Sequence, residues 1–168
     1  YNSDADKKRG FLYPVGGVGN FATSIRLNEI LAVNDSCPDG TEMSDPTTDC
    51  SKGTVDNRED ADDWIELFNT GTEPSSLENL YITNNELYPT RFKLDDYGTL
   101  SPNVSNGNLK ENAHLLIWCD NELKQNITNC IHSNFTLSAN NDNLLLIAYN
   151  DADDDGIPEL LQIVDMIT

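Results

Sequence analysis

The sequence predicts an all-β fold, a sandwich or barrel of short antiparallel strands. Three observations point there. Apolar runs of four to eight residues recur at roughly even spacing along the 168 residues. Clusters rich in Asn, Asp, Gly and Pro separate them. No stretch of 12 or more residues carries an apolar stripe at helical period. The length suits one domain. Hydrophobic residues make up 38% of the chain, enough for one modest core.

The elements follow in order. Residues 1–23 read as an N-terminal extension: a polar tail to Gly10, with Lys7-Lys8-Arg9 as a solvated charge run, then the apolar stretch FLYPVGGVGNF. From Ser24, IRLNEILAVN alternates with one phase shift, which predicts a strand with a bulge. Residues 34–63 form a long, polar, acidic insertion. Its length favours a loop stapled by a disulfide or ordered by a metal. WIELFN (64–69) alternates strictly, with Ile65, Leu67 and Asn69 on one face and Trp64, Glu66 and Phe68 on the other. LYITNN (80–85), RFKL (91–94), AHLLIWC (113–119), NFTLS (134–138), NLLLIAY (143–149) and LLQIVDMI (160–167) complete the predicted strands. The main domain is therefore expected over residues 24–168.

Charge narrows the function. The chain carries 29 acids against 10 bases, a formal net charge of −19. Binding a nucleic-acid duplex needs clustered Lys and Arg, so a nucleic-acid partner is excluded. No apolar run approaches the ~18 residues that a membrane-spanning helix needs. Asparagine is abundant, at 21 residues. Asn103, Asn126, Asn134 and Asn34 each open an N-x-Ser/Thr triplet, a number that this composition yields by chance.

Four cysteines, Cys37, Cys50, Cys119 and Cys130, fall as two close pairs, neither of them CxxC. Nearest-neighbour pairing, Cys37–Cys50 with Cys119–Cys130, closes the shortest loops. Two other connectivities and four reduced thiols are the alternatives. Each short loop would be worth roughly 3 kcal/mol on a chain-entropy estimate. Two bridges imply an oxidising compartment, hence a secreted, extracellular or cell-surface protein. The first residue is Tyr1, so a leader removed or lying outside this stretch is expected.

RLNEILAVN, DWIELFNTGTEPSSLENLYITNN and NFTLSANNDNLLLIAYNDADDDG followed by IVDMI, taken together and in this order, resemble the lamin tail domain family in its prokaryotic, secreted form. The resemblance covers roughly residues 25–167, and its most specific block is Asp63–Asn69. It implies an immunoglobulin-like β-sandwich used as a non-catalytic module. The long insertion and residues 1–23 depart from the family pattern. Asn28, Glu29 and Asn69 are expected to bond loop backbone.

Catalytic signatures are missing from the sequence. The two histidines, His114 and His132, belong to no metal-protease or nucleophile motif. Neighbouring acids such as Asp62/Asp63 and Asp95/Asp96 diverge, whereas glycoside hydrolysis needs carboxylates opposed across a cleft. The sharpest local signal is NDADDDGIPE, residues 150–159. Asp151, Asp153 and Asp155 fall at positions 1, 3 and 5 of an EF-hand-like loop, with Gly156 at the turn. The Ile157 carbonyl and Glu159 follow. Hard oxygen donors at alternate positions favour Ca²⁺ over zinc or copper. Gln162 stands at position 12 instead of a bidentate Glu, so another ligand must complete the shell. Asp56, Glu59, Asp60, Asp62 and Asp63 form a weaker second acidic candidate. The function expected is a calcium-stabilised structural or adhesion module, with a subunit of a surface filament or matrix assembly as its assembled form, that meets protein partners or its own copies through sheet edges. The alternative is an accessory module of, or a minor, secreted hydrolase.

Overall fold

The computed structural model describes residues 21–32, 62–138, 143–151 and 160–167. They form a mostly β fold of three antiparallel sheets. The first sheet has the order β1-β2-β8, with β1 at Ile25–Leu31, β2 at Trp64–Asn69 and β8 at His114–Trp118. The second has the order β10-β9-β4-β5. Its strands are β4 at Leu80–Thr83, β5 at Phe92–Lys93, β9 at Leu144–Asn150 and β10 at Leu160–Ile167. A small third sheet joins β3 (Ser75–Ser76), β7 (Asn108–Leu109) and β6 (Val104–Ser105).

One core unites the two larger sheets. Ile65, Leu67, Leu115 and Ile117 from the first meet Leu80, Ile82, Leu144, Leu146 and Ala148 from the second. Strict alternation on β2 buries Ile65, Leu67 and Asn69, as its period predicts. The bulge expected in β1 lies between Leu27 and Glu29. β10 carries a matching irregularity between Ile163 and Asp165. β1 and β10 are edge strands of their sheets, and they meet beside these irregularities. The Asp165 carboxylate accepts the Leu27 N–H at 3.0 Å, so a side chain satisfies a donor that the bulge leaves free.

Three segments differ from the sequence reading. RFKL yields only the two-residue β5, because Leu94–Gly98 turns into a short helix, α1. Asp95 and Asp96 sit in its first turn, where the helix dipole favours acids. A Cβ on Gly98 would lie 2.4 Å from Leu77 Cδ1, so a larger residue here would require the buried Leu77 side chain to shift. NFTLS is not a strand; only a single bridge, Asp120 to Thr136, touches it. Phe135 is buried and Leu137 packs on the core, so the alternation there records packing of irregular backbone. The third sheet was unanticipated, although Asn106-Gly107 marks its hairpin. Both residues have positive φ, 51° and 72°, as a two-residue type I′ turn requires.

Positive φ explains part of the asparagine content. The non-glycine residues in this region are Asn79, Asn106, Asn112, Asn121 and Asn129, among those described. Asparagine tolerates the left-handed conformation better than other residues with a Cβ.

Asn69 ends β2 completely buried and ties four segments together. Its Oδ1 accepts from Ser24 Oγ at 2.6 Å and from Gly71 N at 2.9 Å. Its Nδ2 donates to the carbonyls of Glu73, Leu109 and Lys110 at 2.9–3.0 Å. Gly71 has no room for a side chain, since a Cβ would stand 2.7 Å from Ser24 Oγ. Asn28 behaves otherwise than expected, donating to the Glu66 side chain at 2.7 Å.

Asn69→Ala should cost about 3 kcal/mol in urea unfolding, because buried carbonyls and a hydroxyl lose their partner. Asn69→Asp should cost at least as much, since a carboxylate cannot donate to three carbonyl oxygens. A loss below about 1 kcal/mol for both variants would contradict the anchoring role. For the turns, Asn112→Val should destabilise by about 1–2 kcal/mol, while Asn112→Gly should be close to neutral in the same measurement.

Candidate functional site

The acidic loop of residues 151–159 is set between the two longest strands of the second sheet. β9 and β10 pair antiparallel, and the pair Asn150 to Leu160 closes the loop. Both flanking strands are thus fixed in register at this pair. Asp151 stands at the mouth, half-buried, directly after β9. Asp153, Asp155, Ile157 and Glu159 lie outside the described residues, as do Asp56, Glu59 and Asp60 of the second acidic candidate. Asp62 and Asp63 lead into β2, and the Asp63 carbonyl accepts the Cys119 N–H at 2.7 Å. Among the described residues, no group of three or more His, Cys, Asp or Glu side chains is placed to hold a metal.

The tertiary structure assembles one polar cluster that sequence reading missed. Chain-adjacent Cys119 and Asp120 at the end of β8 meet His132 and Ser133, which return beside β8 through the parallel bridge from Trp118 to His132. His132 Nδ1 lies 2.5 Å from Asp120 Oδ2, with both side chains almost completely buried. Asn126 holds the backbone of His132 from the other side: its Oδ1 accepts His132 N at 2.8 Å and its Nδ2 donates to His132 O at 3.0 Å. Ser133 Oγ donates to the Phe135 carbonyl at 2.7 Å.

Cysteine, histidine and aspartate together are the residue types of a thiol nucleophile. Here their environment works against that chemistry. Burial pushes the Cys119 thiol above its ordinary pKa, and this outweighs the hydrogen bond with Ser133 that lowers it. A nucleophilic cysteine needs a lowered pKa and access to solvent. Cys119 is 2% exposed. The cluster is an internal polar tie between β8 and the chain that returns across it.

Cys119 is a free thiol, which overturns the expected Cys119–Cys130 bridge. The two residues are close in sequence, but Cys119 points into the main core while Cys130 packs with Trp118 in a separate cluster. Cys130 is disulfide-bonded. The expected Cys37–Cys50 bridge lies outside the described residues.

A second, exposed pair lies on the outer face of the first sheet. His114 Nδ1 sits 2.9 Å from Glu66 Oε1, and the imidazole packs on the Phe68 ring at 4.5 Å between centroids. Glu66 thus has two side-chain partners, His114 and Asn28. A groove of about 490 Å³ opens between the entry to β1 and β10, lined by Phe21, Thr23, Arg26, Ser75 and Gln162 among others. The Arg26 guanidinium inside it is spent on the carbonyls of Thr23 and Ile25, at 2.9 and 2.7 Å. Phe21 and Thr23, expected in the extension, pack against the domain: Phe21 N donates to Gln162 Oε1 and Thr23 Oγ1 bonds Ser75 Oγ. Residues 1–20 lie outside the described residues.

Three of the four triplet asparagines also have structural employment. The side-chain amides of Asn103, Asn126 and Asn134 donate to the carbonyls of His114, Leu123 and Arg91, at 2.7–2.8 Å.

These features define the described residues as a mostly β fold with internal polar clusters. No protein-family model matches it, and no curated protein or solved structure is significantly similar to it. No described helix is long and apolar enough to cross a membrane.

Cys119 should resist alkylation at pH 8 in the folded protein and react fully in denaturant. Its labelling rate, followed by mass spectrometry, should fall by at least about 100-fold relative to the unfolded chain. Rapid labelling under native conditions would contradict its burial.

Proposed function

We propose that this chain is a non-catalytic, calcium-stabilised module of secreted or cell-surface proteins. In this reading its sheets form the immunoglobulin-like sandwich of the lamin tail type. The observation that carries the proposal is the closed register of the β9–β10 hairpin at Asn150 and Leu160. A pair of strands held in register on either side of acids at residues 151, 153, 155 and 159 suits a cation that needs several oxygens around one centre. With a net charge of −19, the chain also gains from any divalent ion that offsets self-repulsion. Asp151, Asp153, Asp155, the Ile157 carbonyl and Glu159 would hold the ion.

The non-catalytic reading is supported by how the buried reactive groups are used. Cys119, Asp120, His132 and Ser133 bond one another or backbone inside the body. The disulfide at Cys130 supports an oxidising compartment. Partner binding through sheet edges is supported at the end of β10, an edge strand on which Met166 and Ile167 are exposed. Such an edge suits strand addition by a protein partner or a second copy.

Calcium at 10 mM should raise the melting temperature relative to a chelator. A site with Kd on the order of 10⁻⁴–10⁻³ M would add about 1.4–2.7 kcal/mol at that concentration. Asp153→Ala should remove the difference while leaving the chelated melting point close to wild type. Identical melting curves with calcium and with chelator would refute the calcium assignment.

A further inference from the structure

β1 is an edge strand, and the ladder shows which of its backbone groups face outward. Asn69 stands opposite Ile25, and it gives its own N–H to Ala113 on the β8 side. Such a pair exchanges no hydrogen bonds, so the Ile25 N–H and carbonyl point away from β2. The Leu27 N–H and the Thr23 carbonyl, two residues to either side, point the same way. Ser24 fits this parity, since its carbonyl accepts the Thr70 N–H at 3.0 Å. Among the described residues, no strand pairs with the outward side of β1.

Side chains take the place of that strand. Thr23 Oγ1 accepts the Ile25 N–H at 3.2 Å. Arg26 Nη1 donates to the carbonyls of Thr23 and Ile25, at 2.9 and 2.7 Å. Asp165 Oδ2 accepts the Leu27 N–H at 3.0 Å. The outward groups from the Thr23 carbonyl to the Leu27 N–H are thus all bonded, each by a side chain. The bonding groups are held in turn. Thr23 Oγ1 meets Ser75 Oγ at 3.0 Å, and Asp165 Oδ1 accepts the Met166 N–H at 3.0 Å. With the Phe21 N–H on Gln162, the entry to β1 and β1 itself are tied along β10 at two points. The groove of about 490 Å³ is lined from both sides by this stretch, by Thr23 and Arg26 and by Gln162 and Val164. It opens to solvent, so an incoming chain could reach this edge if its groups were free.

Free N–H and carbonyl groups on an edge strand are a template for another strand. We infer that Thr23, Arg26 and Asp165 form a seal that bars strand addition to β1 and leaves the exposed Met166–Ile167 end of β10 as the place where a partner strand docks. The inference refines the edge-binding reading above and rests on it for the partner's place alone. The seal suits its role, because hydrogen bonds from a guanidinium or to a carboxylate are roughly twice as strong as the neutral ones that an added strand would offer in exchange. The other edges are covered or short: β8 carries the bridge from Trp118 to His132, and β5 has two residues.

Hydrogen exchange of the wild-type chain tests the seal without any variant. The Ile25 and Leu27 amides should exchange at least about 100-fold more slowly than in the unfolded chain. Exchange of either at the unfolded rate would overturn the seal. Its barring role is tested with Thr23→Val/Arg26→Met, which keeps shape and stem but frees the Ile25 N–H and both carbonyls. In sedimentation equilibrium the folded variant should self-associate at least about 10-fold more strongly than wild type, as freed edge hydrogen bonds would give. Its Ile25 amide should be protected in the associated form only. Arg26→Met alone should show the same effect in smaller measure. Adding Asp165→Ala should strengthen association further, whereas Asp165→Asn, which keeps an acceptor for Leu27, should not. Folded variants that sediment as wild type does, or that associate while Ile25 exchanges freely, would overturn the barring role. If the variants gain association but the wild-type chain takes no partner strand at Met166–Ile167, the edge-binding reading fails and the seal stands.

Discussion

A side-chain amide, buried to zero exposure, organises the place where the first sheet hands over to the small third sheet. Asn69 closes β2, and beyond it the chain must leave the first sheet, turn, and begin the small third sheet. Turns of that kind leave backbone groups without ladder partners, and a buried one is costly unless paired. Asn69 has two donors and two acceptor positions on one rigid plane. It spends them on the entry to β1, the turn at Gly71, the Glu73 carbonyl and the end of β7. A hydrophobic residue there would strand those groups, and a charged one would be buried among carbonyls. The position therefore also constrains its neighbours: Gly71 has to lack a side chain, because Ser24 and the amide occupy the space.

The same economy recurs elsewhere. Asparagine side chains replace backbone partners wherever strands give way to irregular chain: Asn126 against His132, Asn134 against Arg91, Asn103 against His114. Other asparagines supply the left-handed turns. Edge strands are handled by the same principle, with Asp165 satisfying the bulged β1. Polar side chains thus substitute for regular ladders, which lets short strands of two to eight residues close into one body.

Electrostatics acts at two scales. Locally, acids are absorbed by neutral or weakly basic partners: Glu66 by Asn28 and His114, Asp120 by His132. Over the whole chain the surplus is −19, too large for internal partners to absorb. Lys93 meets both Asp95 and Asp96, but these are exposed pairs and contribute little to stability. The remainder is free to act on solvent ions, which is the physical setting for the proposed calcium loop.

Most of the β elements were legible because period-two alternation survives in the sequence wherever a strand has one buried face. WIELFN carries that signature and the structure keeps it; NLLLIAY was legible instead as a continuous apolar run, with Leu144 to Ala148 all buried, and the phase shift in IRLNEIL marks the bulge. NFTLS carries the alternation too and is not a strand, because packing Phe135 and Leu137 inward requires no ladder. The third sheet has strands of two residues, too short to show a period, and Asn106-Gly107 was its one local trace. The acidic spacing of residues 151–159 is a property of the sequence alone, and all of it but Asp151 lies outside the described residues. The Cys119, Asp120, His132 and Ser133 cluster was not legible, because a parallel bridge between distant segments creates it. The expected Cys119–Cys130 pairing failed for a related reason. Sequence separation measures loop-closure entropy, whereas bonding depends on which face each side chain occupies. Local propensity and period thus determined the strands, turns and charge; only the packing of two faces of one sheet decided that Cys119 and Cys130 stand apart.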